Sequence, residues 1–257
     1  MNPLTRGRTR IAAPFEYSLN QAGQDYLSTI GTNRLMRGEP LPRSFYEKDT
    51  VSVAKALLGK VLVRKLNGGV LSGRIVETEA YRGEDDPASH AFRGRTPRNL
   101  LMFGYGGRAY VYFVYGRNWC LNATTETIGA PGAVLIRAIE PLRGLAPMMV
   151  RRGKRDLRSL TNGPGKLTQA LNINGNLNGA DLTRRGPLFI QESLGYEAID
   201  LVATARVGVS AGRQLPWRFF IAGNSFVSVA LVRDTLRHGP LHRTLPHSGV
   251  SSLDRRG

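Results

Sequence analysis

The sequence predicts an α+β fold: a single mixed domain with a curved, mainly antiparallel sheet, surrounding helices and a protruding β-hairpin. Three observations carry this. Lys60 to Leu66 and Val70 to Ala80 alternate in strand fashion around Asn67-Gly68-Gly69, the turn chemistry of a hairpin. Arg108 to Val114 and Trp119 to Thr124 form a second such pair around Tyr115-Gly116-Arg117-Asn118. Short amphipathic segments behind cap residues, near Asp49-Thr50 and after Thr161, supply helices.

A chain of 257 residues buries enough apolar surface to need no staple. Its one cysteine, Cys120, excludes an internal disulfide and any multi-cysteine metal site. His238 and His242 have helical ligand spacing, but Gly239-Pro240 breaks the helix that a zinc site would require. No metal or other cofactor is expected. The formal charge is +17, and thirty of the thirty-six basic residues are arginine. Arginine forks onto phosphate, so a polyanion is the favoured partner, with compositional bias as the plainer explanation. No apolar run approaches the ~20 residues of a membrane span, and a reducing, membrane-free setting is expected for a monomer.

Taken in order, residues 1–40 lack apolar periodicity and read as a loosely attached extension. The folded domain is expected over 41–236. Asp49-Thr50 caps a helix through Val53, Ala54, Ala56, Leu57 and Leu58, which Gly59 stops. After the first hairpin, Thr96-Pro97-Arg98-Asn99 opens a short helix through Phe103. Ala133 to Ile139 reads as a buried strand. Arg143 to Arg158 carries six basic residues against Asp156 and reads as a solvated loop or a phosphate-tracking surface. Thr161 to Lys166 leads into a helix, with Lys166 near its positive end. Strands follow at Leu188 to Gln191, Ala203 to Val209, Trp217 to Ile221 and Val227 to Val232, and residues 237–257 read as a basic tail.

The returning strand of the first hairpin carries the chemistry. Strand alternation puts Ile75, Glu77, Glu79 and Tyr81 on one side, and two carboxylates on one sheet face are unusual for a purely structural strand. Either could serve as general base for water, and either could be a salt-bridged acid paired with Arg74, Arg82 or Arg137. The company of His90, Tyr110, Tyr112 and Tyr115 favours a reaction site. A tyrosine at a hairpin tip in a strongly basic chain also suits a duplex-wedging element.

The stretches RIVETEAYRGEDDPASHAFRGRTPRN, YVYFVYGRNWCLN, AVLIRAIEP and GPGKLTQALNI resemble successive motifs of the alkyladenine-type 3-methyladenine DNA glycosylases, from about Leu58 to Val232. The resemblance implies a monofunctional base-excision repair enzyme that flips damaged purines out of double-stranded DNA and hydrolyses the N-glycosidic bond. It places the general base on Glu79 and the base-stacking walls on Tyr81 and Tyr112, with His90 at the base edge. Asn122 falls at the position that rejects guanine. Arg137 and the carbonyl of Val207 fall where the nucleophilic water is held. Tyr115 becomes the DNA-inserting residue at the hairpin tip, Met102 a wedge support, and Arg95 and Lys166 phosphate contacts. Glu77 receives no chemical role. The segment from Asn122 to Arg137 is longer than the pattern, and Gly116-Arg117-Asn118 puts polar residues beside Tyr115. Such an enzyme belongs with the nucleoid in a bacterium or in the nucleus or an organelle of a eukaryote.

Two other readings use the same residues. A non-catalytic nucleic-acid-binding module needs only the basic surface and the aromatic hairpin. A hydrolase of free nucleosides could use Glu77 and Glu79 as a carboxylate pair, roughly 6–7 Å apart along the strand.

Overall fold

The computed structural model describes residues 38–114, 116–193 and 199–228. Tyr115, the tail from 237, and most of the 1–40 extension therefore lie outside the described residues, as do His238 and His242.

An eight-stranded sheet organises the chain. Its strands are β1 (Val61–Leu66), β2 (Gly69–Tyr81), β3 (Ala109–Val114), β4 (Asn118–Thr124), β5 (Ala133–Arg143), β6 (Leu188–Gln191), β7 (Leu201–Thr204) and β8 (Arg218–Ile221). The order is β3-β4-β5-β2-β1-β6, with β8 pairing both β2 and β7, and every pairing is antiparallel. On the edge of β2 away from β5, β1 covers the first half and β8 takes over at Glu77 to Glu79. The sheet thus curls rather than lying flat, in a mixed α+β domain.

The first hairpin closes on Asn67-Gly68, with Leu66 opposite Gly69, so β2 starts one residue before the expected position. Its alternation is broken by a bulge. Ile75 faces Ile139 while Glu77 faces Ala138, which admits an extra residue at Val76. Ile75 and Val76 consequently both enter the main apolar core, and Ile75 does not share the carboxylate side as strict alternation predicts. The bulge is what aims the two glutamates away from that core.

Helices pack around this sheet. Helix α1 (Arg43–Tyr46) is a single turn that gave no periodic signal. Helix α2 (Thr50–Ala56) is capped by Asp49, whose side chain accepts from Ser52 N at 2.8 Å, and Thr50 N donates to Glu126 Oε1 at 2.7 Å. The expected solvated loop after Arg143 contains helix α3 (Leu145–Arg152). Gly144 and Gly153, both at positive φ, bracket it, and Leu145, Met148 and Met149 bury one face while the arginines stay outside. Helix α4 (Pro164–Ala170) starts on proline as expected.

Four boundaries differ. Strand β5 continues through Glu140-Pro141 to Arg143, because a register shift beside Ser72 and Gly73 accommodates a residue that cannot donate. The helix after Thr96 is a 3-10 turn, Leu100–Phe103. Thr96 and Asn99 bond reciprocally in front of it, Thr96 N to Asn99 Oδ1 at 2.7 Å and Asn99 N to Thr96 Oγ1 at 3.4 Å. Strand β7 ends at Thr204 rather than Val209, because Arg206 and Val207 turn inward. Val227 and Ser228 belong to a turn, not a strand, and 229–232 lie outside the described residues.

Candidate active site

The bulged end of β2 buries both carboxylates completely. Glu77 is enclosed by donors. Its Oε1 accepts from Arg137 Nε at 2.9 Å, Arg218 Nε at 2.7 Å and Ser228 Oγ at 2.9 Å, and its Oε2 accepts from Ser228 N at 2.7 Å. Glu79 is bound on fewer sides. Its Oε2 accepts from Tyr81 Oη at 2.9 Å and Arg137 Nη1 at 3.1 Å, and its Oε1 accepts, among the described residues, from Val207 N alone, at 2.7 Å. A carboxylate oxygen has two lone pairs, so Glu79 Oε1, like Glu77 Oε2, keeps capacity for one more donor.

Arg137 thus bridges the two carboxylates. Burial works against its charge, but the fields of Glu79 and then Glu77 outweigh burial and hold its pKa above the usual arginine value. Tyr81 is pushed the other way. Burial first and the neighbouring Glu79 charge second raise its phenol well above ten, so it remains a donor.

Beside Glu79 opens a pocket of about 240 Å³, lined by Tyr81, His90, Met102, Tyr110, Tyr112 and Asn122, with Gly208 to Ser210 on its far side. Tyr81 comes from the end of β2, Tyr110 and Tyr112 from one face of β3, and Asn122 from β4. His90 reaches it from the loop after β2. Its ring packs edge-on to Tyr112 at a centroid distance of 4.6 Å. Asn122 is buried, its Nδ2 donating to Tyr110 O at 3.1 Å. Burial raises the Tyr112 phenol above its ordinary value. A slot walled by aromatic rings on facing elements, with polar atoms prominent in its lining, suits a flat heteroaromatic ring with hydrogen-bonding edges.

Seven of the expected residues, Glu79, Arg137, Val207, Tyr81, His90, Tyr112 and Asn122, therefore meet at one site. Val207 contributes its amide N–H, bound to Glu79. Met102 is 1% exposed, lines the pocket and packs with Ala91, Tyr110 and Ala133. Arg95 is exposed on the loop beyond His90, its guanidinium 5.8 Å from the Phe103 ring centroid. Lys166 Nζ donates to Asn162 Oδ1 at 2.8 Å at the start of α4. Tyr115 follows β3, outside the described residues.

Sequence reading missed a second buried ion pair. Arg206 Nη1 and Nη2 each lie 2.6 Å from an oxygen of Asp86, and both side chains are fully buried. Arg206 Nη1 also donates to Ala80 O at 2.9 Å, and its guanidinium stacks 4.7 Å from Tyr81 and 5.2 Å from Trp217. The pair binds three segments together: the end of β2, the loop leading to His90, and the turn bearing Val207. The partners are 120 residues apart, and the only local signal was an acid in the GEDD turn that no nearby cation required.

Comparison with known proteins agrees with this geometry. A model of the methylpurine-DNA glycosylase family matches residues 44–225. A Carboxydothermus hydrogenoformans protein named "Putative 3-methyladenine DNA glycosylase" is 50% identical over 188 residues, covering 73% of this chain and 98% of that protein. A protein of the same name from Methanoculleus marisnigri is 50% identical over 192 residues, covering 73% and 98%. One from Chlorobium phaeobacteroides is 47% identical over 191 residues, covering 74% and 97%. The match spans every element that builds the pocket, and the chain belongs to the methylpurine-DNA glycosylase family.

Proposed function

We propose that this chain is a monofunctional DNA glycosylase that extrudes an alkylated or deaminated purine from duplex DNA and hydrolyses its N-glycosidic bond with water activated by Glu79. The observation that carries this reading is the asymmetry of the two carboxylates. Glu77 accepts four hydrogen bonds, from Arg137, Arg218 and Ser228, none of which lines the pocket, whereas Glu79 accepts three, one of them from Tyr81, a wall of the aromatic slot. An extruded purine stacks between Tyr81 and the Tyr112–His90 side. The water lies between Glu79 and C1′, with Arg137 and the Val207 carbonyl helping to hold it.

The chemical demand is modest for a base alkylated at N3 or N7, which is cationic and departs readily. The enzyme then supplies position, a proton acceptor for the water, and negative charge facing an oxocarbenium-like sugar. Atoms balance when the water oxygen bonds C1′, its proton passes to Glu79, and the base leaves with the glycosidic electron pair. None of the residues lining the pocket is a lysine, which supports hydrolysis over a Schiff-base lyase route.

Around the pocket, Asn122 discriminates against the guanine 2-amino group, Tyr115 fills the vacated stack, and Arg95 and Lys166 contact phosphates. The substrate is double-stranded DNA bound by a monomer, and water is the only co-reactant. No helix among the described residues is long and apolar enough to cross a membrane.

The test is base release from duplexes carrying 3-methyladenine, 7-methylguanine, hypoxanthine or ethenoadenine. Wild-type protein is expected to release base, and Glu79→Gln to bind the same duplexes but release none. Release by Glu79→Gln at the wild-type rate removes Glu79 as the base. Wild-type binding without release from any of the four supports a binding module instead.

A further inference from the structure

Tyr81, the residue that walls the pocket and bonds Glu79, is gripped from behind by Asp86 and Arg206. On one side of it in the chain, Ala80 O accepts from Arg206 Nη1 at 2.9 Å and Ala80 N donates to Trp217 O at 2.8 Å. On the other side, Arg82 N donates to Asp86 Oδ2 at 3.1 Å. The Arg206 guanidinium lies 4.7 Å from the centroid of the Tyr81 ring, and Arg206 does not line the pocket, so it backs the ring away from the space a base would fill. Two further bonds extend the grip. Ala88 N, in the pocket-lining segment just before His90, donates to Asp86 Oδ1 at 3.1 Å. Val207, next in the chain to Arg206, holds Glu79 Oε1 through its amide at 2.7 Å.

Stability alone is a weak reason for such a pair. Two charges taken fully out of water lose much of what they gain from each other, and an apolar pair of similar volume often serves a fold equally well. Arg206 forgoes more than that, because its Nε is buried with no hydrogen-bond partner among the described residues. What an apolar pair cannot supply is direction. A planar guanidinium and a carboxylate together fix one carbonyl, two amides and an aromatic ring in a single arrangement around Tyr81.

We propose that Asp86 and Arg206 are positioning residues of the reaction: they clamp the backbone on both sides of Tyr81, back its ring and hold the Val207 turn against Glu79, so that the stacking wall and the water-activating carboxylate keep one fixed spacing. Neither residue lines the pocket, and their effect reaches the substrate through Tyr81 and Glu79. The catalytic half of this inference rests on the glycosylase reading; the clamp half does not.

Two measurements separate the halves. The clamp is tested on the full wild-type chain by native-state hydrogen exchange at low urea concentrations. Loop amides ordinarily exchange through local opening. Those of Arg82, Ala88 and Val207 are expected instead to share the urea dependence of the β2 amides at Glu77 to Glu79. Exchange of these three through local, urea-independent opening overturns the clamp whatever the enzyme does.

The second measurement separates rate from stability. The double variant Asp86→Asn with Arg206→Met leaves no buried charge behind, and Arg206→Lys keeps a charge without the fork. Each is assayed where its urea curve shows it folded, at saturating protein, for single-turnover base release from the lesion duplexes named above. The double variant is expected to regain part of the stability that either single substitution loses, yet to release base on the order of 10- to 100-fold more slowly than wild type, the scale of a small misplacement of reacting groups. Arg206→Lys carries the same rate expectation and decides the matter if the double variant does not fold. A wild-type rate in a folded variant means that the pair serves the fold alone, and overturns the catalytic half. If the wild-type chain releases no base, the glycosylase reading fails and takes the catalytic half with it, while the exchange pattern still decides the clamp.

Discussion

Tyr81 Oη donates to Glu79 Oε2 across 2.9 Å, so the wall of the pocket and the buried carboxylate behind it form one hydrogen-bonded unit. Tyr81→Phe keeps the ring and removes only the bond. The expected outcome is a single-turnover rate lowered on the order of 10-fold, as for loss of one bond to a charged group, with lesion affinity nearly unchanged. Gel-shift affinity measured beside the rate checks it. An equal loss in both would mean that the ring, rather than the bond, had moved.

Glu77 and Glu79 are expected to separate in stability as they do in contacts. Glu77→Gln leaves the charges of both Arg137 and Arg218 without their shared buried counter-ion, and should lower the unfolding free energy by about 3–5 kcal/mol. Glu79→Gln leaves Arg137 still paired with Glu77 and should cost less. Urea unfolding with unchanged slope compares the two.

The Asp86–Arg206 pair predicts strong non-additivity. Asp86→Asn and Arg206→Met each strand a buried partner and should cost about 3–5 kcal/mol, whereas the double variant should recover part of that loss. Thermal or urea denaturation of the full cycle measures the coupling. Additive losses would show that the two groups do not depend on each other.

Cys120 provides a probe with a single site. It faces Tyr112 across β3 and β4, and its thiol is pushed up to about 11, chiefly by burial, with Arg137 opposing and the Glu79 charge adding to the rise. Native protein at pH 8 should therefore resist iodoacetamide and label only on unfolding. The sign of the pH effect follows. The unfolded thiol ionises first, near the ordinary thiol value of 9.0, so stability attributable to Cys120 is intact below that pH and declines as pH rises towards 11. Mass spectrometry of labelled protein and denaturation between pH 8 and 10 check both statements.

Local patterns made much of this fold readable. Alternation around Asn67-Gly68 gave the first hairpin, and proline at the start of α4 gave that helix. What failed were the places where tertiary packing overrides a local signal. The arginines of α3 hid an apolar stripe of Leu145, Met148 and Met149. The bulge at Val76 invalidated strict alternation. Alternation brought Glu77 and Glu79 together but could not rank them. Their difference is made by Arg218 and Ser228, 141 and 151 residues distant from Glu77, and no pattern within β2 encodes those contacts.

Strand β2 is held on both edges at Glu77 to Glu79, by β5 on one side and β8 on the other. Its amides there have no edge from which to fray, so they are expected to exchange with solvent only when the whole domain opens. The proposed water activator therefore stands on a segment expected to be among the slowest to exchange. Loss of the carboxylate geometry and loss of the fold are one event, and catalytic competence should disappear with global unfolding, not before it.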